Sequence, residues 1–273
     1  MDDASFRRIL DFFRLSWKGY RRVRKGVKKR LARHMGALGL KGVDEYLVLL
    51  ARNASEAENA KRLLTVSISR FFRDRRLWDI LRESVLPDLA ASSPQGFRVW
   101  CAGCASGEEV YSLKIAWSEM TGFLPCMPPM EIWATDINPQ VIEIAKKGEY
   151  GKSSLREVAP LLMEKYFVKA GDHYRVSEAL QRRIHWECGD FISDGPPVSS
   201  LALVFLRNSL LTYHAEDTVR EVFQRVVDNM RRGGYLVVGN HEEIPVTEVP
   251  LRRIMEHRGI WQRWEPDGEV NCE

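Results

Sequence analysis

Two adjacent glutamates, Glu108 and Glu109, follow a turn of small residues in the stretch "VWCAGCASGEEVYS", residues 99–112. An apolar run ahead of a glycine-rich turn is the usual frame for a phosphate cradle, in which backbone N–H groups and often a lysine face the anion. Gly103 and Gly107 would let the backbone approach a ligand closely, but no Gly-Lys-Ser/Thr follows, and the carboxylates stand where a phosphate needs positive charge. The pattern fits a ligand that carries hydroxyls and a cation. A carboxylate accepts two ribose O–H bonds or an ammonium N–H, and it offsets a sulfonium. S-adenosylmethionine has all of these groups. The same glutamates also suit an acidic first helical turn, favoured by the helix dipole alone.

A third carboxylate, Asp136, ends the apolar run in "IWATDIN". An acid there can hold both hydroxyls of an adenosine ribose, cap the helix that starts near Pro139, or do both. The elements that must position these groups alternate. Strands are expected at Phe97 to Cys101, Glu131 to Thr135, Ile184 to Cys188, Leu201 to Leu206 and Tyr235 to Gly239, with helices at 107–120, 138–147 and 216–232. That order predicts a parallel, doubly wound, Rossmann-like α/β sheet, in which ligands bind outside the carboxyl ends of the strands. Those ends carry Gly103 with Glu109, Asp136, Asp190 with Phe191, and Arg207 with Asn208. Between the second helix and third strand, "YFVKAGDHYRV" reads as a hairpin, Tyr166 to Val168 and Tyr174 to Val176, turning at Gly171 and Asp172. It predicts a small antiparallel β insert at about 155–186, a capping hairpin or a protein-docking edge.

Ahead of the sheet, residues 3–66 place Phe6, Ile9, Leu10 and Phe13, then Val23, Val27, Leu31 and His34, then Tyr46, Leu47 and Leu50 at helical spacing. Ser55 with Glu58 has the form of a capping box. The expected division is a small all-α, basic N-terminal domain with linker, 1–74, and a cofactor-binding domain, 75–273. The segment "TVSISRFFRD", residues 65–74, spends two aromatics and flanking arginines where a plain linker would not.

With 45% hydrophobic and 29% charged content in 273 residues, the chain reads as a globular protein. No long apolar run or basic-then-apolar start argues for secretion or membrane insertion, and the five scattered cysteines suit reduced thiols in a cytoplasm. Cys101 and Cys104 form one CxxC without the second pair a zinc site needs, so no metal is expected. The net charge of +4 is uneven. Residues 17–34 contain Lys18, Arg21, Arg22, Arg24, Lys25, Lys28, Lys29, Arg30 and Arg33 and no acid. This face is either solvated or docks an acidic helix, a nucleic acid or an anionic surface.

Taken in order, the basic helices, "SISRFFRD", "VWCAGCASGEEVYS", "WATDIN", "YFVKAGDHYRV", "FLRNSLLTY" and "GGYLVVGNHEEIP" resemble the CheR family of chemotaxis receptor methyltransferases nearly end to end. The resemblance implies S-adenosylmethionine as cofactor, S-adenosylhomocysteine as product, and glutamate side chains of chemoreceptors as methyl acceptors. It also implies cofactor contacts from Ser67, Ser69, Arg73, Gly103, Glu109, Asp136, Asp190, Phe191, Arg207 and Asn208. Arg73 suits a carboxylate clamp on substrate or cofactor, or an ion pair with Glu83 or Asp74. Where the family has a tyrosine four residues past the asparagine, this chain has Thr212, with Tyr213 one residue later. One residue turns a helix by about 100°, so Tyr213 is not a direct substitute, and Thr212, Tyr213 and Arg73 form the candidate catalytic set.

The resemblance further implies that the basic residues 18–33 face acidic receptor helices, with the β insert in some relatives holding a receptor peptide. The short "KAGDH" turn argues weakly against such tethering here. Two alternatives stay open: a methyltransferase of this fold acting on another signalling protein or a small carboxylic acid, and a non-catalytic module sensing S-adenosylmethionine or S-adenosylhomocysteine. A nucleic-acid substrate is disfavoured, because no Asn-Pro-Pro-Tyr type tetrad is present to hold a flipped base.

Overall fold

The computed structural model describes residues 1–120, 127–245, 250–254 and 258–264. Cys126 and Cys272 lie outside them. The chain forms two compact units, one of Met1–Ser67 with Asn208–Glu221, the other of Ile68–Arg207 with Val222–Glu273.

The first unit is helical: Asp3–Phe12, Trp17–Tyr20, Arg24–Ala37, Val43–Arg52, Ala54–Leu64 and Leu210–Tyr213. The spacing that predicted these helices also fills their core, with Phe6, Ile9, Leu10, Val27, Leu31, Tyr46 and Leu50 buried. One cap differs from expectation. Asn53, extended at φ −127°, accepts from the Glu56 N–H at 3.1 Å, so Ser55 already lies inside the helix and the Ser55–Glu58 box does not start it. Asn53 wins because the preceding helix ends at Arg52, which leaves its side chain in the extended backbone a cap requires. Of the basic run, Arg30 turns inward and donates to the carbonyls of Leu63 and Thr65 at 2.9 and 2.7 Å. Arg24 and Lys28 pair with Asp3, and Lys18, Arg21, Arg22, Lys25, Lys29 and Arg33 are exposed.

Among the described residues, the second unit holds ten strands: β1 Phe97–Ala102, β2 Met130–Asp136, β3 Glu149–Tyr150, β4 Phe167–Ala170, β5 His173–Val176, β6 Ile184–Cys188, β7 Leu201–Phe205, β8 Met230–Val237, β9 Leu251–Arg253 and β10 Ile260–Arg263. Seven form one sheet in the order β6-β2-β1-β7-β8-β10-β9. The first five are parallel, and β10 and β9 continue the sheet antiparallel. All five residues of β7 are buried, as an apolar run covered on both faces requires. The four larger side chains, Leu201, Leu203, Val204 and Phe205, contribute about 1.5–3 kcal/mol each by burial. From β1 the chain runs outward to β2 and β6, then returns to β7 on the other side of β1. The carboxyl ends of β1 and β7 therefore flank the point where the winding reverses, the place such sheets bind ligands.

The expected helix at 216–232 ends at Asp228, because Met230 already pairs with Leu201 as the start of β8. The expected hairpin is present as β4 and β5, with Gly171 at φ +61° in its turn and Tyr166 ending the preceding helix. A third strand, β3, joins β5 antiparallel, giving a three-stranded sheet in the order β3-β5-β4. Among the described residues, no helix is long and apolar enough to cross a membrane.

Candidate functional site

The loop after β1 is shaped by backbone that few residue types tolerate. Gly103, Ala105 and Gly107 have φ of +71°, +49° and +86°, the left-handed region that favours glycine. A Cβ on Gly107 would stand 2.8 Å from the Trp186 ring and 2.9 Å from the Ala145 methyl, so this position requires close approach as well as turn geometry. The amides of Gly103 and Cys104 both donate to the Thr135 carbonyl at 2.9 Å, which ties the loop to the end of β2.

Asp136 completes that tie. Its Oδ2 accepts from the Ala105 N–H at 3.0 Å and its Oδ1 from the Asn138 N–H at 2.9 Å. The capping contact expected for the next helix is made by Asn138, which accepts from the Gln140 N–H at 3.0 Å. Burial raises the Asp136 carboxyl above the ordinary carboxylate range, and the two backbone bonds oppose that shift. Each carboxylate oxygen has two lone pairs, so one on each remains for a further donor.

Glu109, in the first turn of the helix Glu108–Met120, accepts from Arg207 Nη1 at 2.5 Å. Arg207 also bonds Asp74 through Nη2. Its side chain is 3% exposed, whereas those of Glu109 and Asp74 are 18% and 29% exposed. A buried guanidinium thus lies between two partly open carboxylates where the winding reverses, and its two terminal nitrogens fix both. Asp74, weighed from sequence as a partner for Arg73, is in this network at φ +67°. Sequence reasoning missed the pairing because 133 positions separate Asp74 from Arg207.

The segment before Asp74 is anchored by its aromatics. Phe71 is fully buried, with the rings of Tyr150 and Phe167 at 4.9 and 5.2 Å, and Phe72 meets the Trp78 ring at 5.5 Å. Trp78 Nε1 donates to the Arg73 carbonyl at 3.0 Å, and Arg73 Nη1 reaches the Ile68 carbonyl at 3.4 Å. Burial raises the neighbouring Glu108 carboxyl above the ordinary carboxylate range, and the Ser154 hydroxyl donates to its Oε1 at 3.3 Å. At the end of β6, Asp190 caps a short helix by accepting from the Ile192 N–H at 3.0 Å. The Phe191 ring meets Trp100 edge-on at 6.1 Å. The Gly189 amide donates to the Asp136 carbonyl at 3.1 Å, which joins this end to the β2 end.

Ser69, Arg73, Gly103, Glu109, Asp136, Asp190, Phe191 and Arg207 belong to the second unit, and Ser67, Asn208, Thr212 and Tyr213 to the first. Asn208 has φ +52°. Within the first unit, a Cβ on Gly19 would lie 2.1 Å from the Thr212 carbonyl oxygen. The Tyr213 ring packs on Tyr20 with centroids 5.1 Å apart, and its carbonyl accepts from the Ser16 N–H at 2.8 Å. The thiols of Cys101 and Cys104 are buried, and burial pushes both far up. Among the described residues, no group of His, Cys, Asp and Glu is arranged to hold a metal ion.

The family model described as CheR methyltransferase, SAM binding domain, matches residues 67–259. The chain is 32% identical over 200 residues to a chemotaxis protein methyltransferase of Listeria innocua, covering 73% of this chain and 74% of that one. It is 30% identical over 272 residues to the chemotaxis protein methyltransferase of Salmonella typhimurium, covering 92% and 88%. An uncharacterised 104.1 kDa protein of Rhodobacter capsulatus is 29% identical over 242 residues, 88% of this chain, and the match spans 25% of that protein's length.

Proposed function

The chain belongs to the CheR family of S-adenosylmethionine-dependent methyltransferases, and from that premise we propose that it esterifies glutamate side chains of chemoreceptors. When bound, S-adenosylmethionine supplies a methyl whose C–S bond breaks as a C–O bond to the acceptor carboxylate forms, leaving a neutral thioether. A glutamate is already ionised near neutral pH, so no general base is required. What the protein must do is position charges and exclude alternatives.

The observation that carries this reading is the Glu109–Arg207–Asp74 network beside the Gly103–Gly107 loop. Glu109, held by one buried guanidinium fork, retains acceptor capacity for an ammonium and offsets a sulfonium. Asp136 holds the loop's shape and offers its remaining lone pairs to ribose hydroxyls. By the family resemblance Asp190 and Phe191 would hold the adenine, and Ser67, Ser69 and Asn208 are the further residues it implies for cofactor contact. Arg73 clamps a carboxylate, of the acceptor or of the cofactor's methionine end. Arg207 acts by fixing Glu109 and Asp74. The family resemblance makes Thr212 and Tyr213 the candidates for contact with the acceptor, and the exposed cations of the Arg24–Ala37 helix and its approach supply charge complementary to acidic receptor helices.

The test incubates the protein with S-adenosylmethionine labelled in its methyl group and with membranes from its own cell, then treats labelled protein with alkali. Volatile methanol released from a membrane-protein band is the expected result. Alkali-stable label would move the assignment to a different acceptor, for which Thr212 in place of tyrosine is the sequence support. Tight cofactor binding with no transfer to membranes or lysate would make the chain a sensor.

A further inference from the structure

The turn after β6 is closed by its own bonds. Asp190 Oδ1 accepts from the Ile192 N–H at 3.0 Å, and Asp194 Oδ2 accepts in return from the Asp190 N–H at 3.0 Å. The Ser193 hydroxyl lies 2.9 Å from Asp194 Oδ1 and 3.1 Å from the Asp190 carbonyl and shares its one proton between them. The Asp194 and Gly195 amides donate to the carbonyls of Asp190 and Phe191 at 2.8 and 3.1 Å. The short helix Phe191–Asp194 has no following turn to donate to its last carbonyls, those of Ile192 and Ser193 among them.

One distant side chain takes both of these carbonyls. Arg225, in the last turn of the helix Glu216–Asp228, donates from Nη2 to the Ile192 carbonyl and from Nη1 to the Ser193 carbonyl at 3.4 Å. The base of that arginine is well anchored. Val222, Phe223, Val226 and Val227 are buried around it, and Asn229 Nδ2 donates to the Arg225 carbonyl at 2.8 Å. Arg263, at the end of β10, donates to the carbonyls of Val227 and Asp228 at 2.9 and 3.1 Å. β6, by contrast, is the outermost strand of its sheet and pairs with β2 alone among the described residues. The turn that carries Asp190 and Phe191 therefore hangs from an edge strand and is braced by a guanidinium from the other side of the sheet order.

We propose that Arg225 is a positioning residue for base selectivity: by holding the Ile192 and Ser193 carbonyls, it sets where Asp190 and Phe191 meet the cofactor's adenine. The inference rests on the proposed function in one respect, that Asp190 and Phe191 take the adenine. A carboxylate beside adenine accepts from the N6 amino group, whereas hypoxanthine has an oxygen at that position and offers it no donor. That discrimination requires the Asp190 side chain to be held in place. A turn released from Arg225 loses it first, because the ribose and methionine ends of the cofactor are held by other elements.

The experiment measures dissociation constants for S-adenosylhomocysteine and for its 6-oxo analogue, S-inosylhomocysteine, with methyl-transfer kinetics and thermal unfolding. It compares the full chain with Arg225→Ala and Arg225→Lys. The parent is expected to prefer the adenosyl ligand by about tenfold or more. Arg225→Ala raises the S-adenosylhomocysteine dissociation constant and the cofactor KM about tenfold, with kcat at saturating cofactor within about threefold, and cuts the preference at least about threefold. Arg225→Lys, which keeps the charge but loses the fork that reaches two carbonyls, falls between the two. An unchanged preference in Arg225→Ala, whatever its melting temperature, would mean a purely structural arginine and overturn the proposal. If Arg225→Ala does not fold, Arg225→Lys decides: a reduced preference supports the proposal and an unchanged one overturns it. A parent chain that binds no S-adenosylhomocysteine sinks the proposed function itself. A parent that binds both ligands equally removes the adenine contact of Asp190 and the inference with it, whereas normal parent preference with unaffected variants removes only the role of Arg225.

Discussion

Arg207 is the residue on which the site's electrostatics turn. Its side chain is 3% exposed between Glu109 and Asp74, so Arg207→Ala leaves two partly buried carboxylates without the cation they share. The expected cost is about 3–5 kcal/mol in urea unfolding. A cost below about 1 kcal/mol would mean the network behaves as a solvated surface pair. Arg207→Lys keeps one charge but loses the fork that reaches both partners, and is expected to weaken cofactor binding about tenfold in a calorimetric titration. Buried carboxyls give a pH signature of unusual sign. Glu108 and Asp136 are both raised above the ordinary carboxylate range, chiefly by burial. The folded state therefore binds their protons more tightly than the unfolded chain does. Their contribution to stability is complete below the unfolded carboxylate values near about pH 4 and is lost as pH rises through the raised folded values. Glu108→Gln removes one share of that loss, so its denaturation midpoint should fall less with pH than the parent's. Parallel curves from pH 5 to pH 8, set as about the accessible range, would deny the linkage.

The loop and its strands make predictions at the scale of elements. Gly107→Ala sets a methyl 2.8 Å from Trp186 in backbone at φ +86°. It should destabilise the second unit by about 1–3 kcal/mol, read as a lowered melting temperature; an unchanged value would show that Trp186 and Ala145 yield freely. How far the sequence disclosed these elements follows from their length. The runs that became β1, β2 and β7 are apolar enough to be placed within a residue or so of their ends, and the acidic loop follows β1 directly in sequence. β3, β9 and β10 have two to four residues each, too few for a period of two to emerge. The Asn53 cap was hidden by a better-matching pattern two residues on. The Asp74–Arg207 pairing and the Ser154–Glu108 hydrogen bond join residues far apart in sequence, and only the fold brings them together.

At the scale of the whole molecule, the six exposed cations of residues 18–33 give a prediction that separates docking from cofactor chemistry. Added salt should slow methylation of receptor membranes, because exposed charges are screened within about 10 Å at 0.1 M ionic strength, while leaving S-adenosylhomocysteine affinity nearly unchanged. The paired reversals Lys25→Glu and Lys29→Glu should mimic high salt; a rate indifferent to both would assign this face to solvent. The composition of the first unit has a consequence in time. Its helices from Met1 to Ser67 are completed by Asn208–Glu221, where Tyr213 packs on Tyr20 and Leu15 bridges His214. On the ribosome that closing segment emerges roughly 140 residues after the helices it completes. At about 5–20 residues per second the delay is roughly 7–28 seconds. During synthesis the second unit's sheet can begin to form first, and the amino-terminal helices, although made earliest, finish folding among the later events.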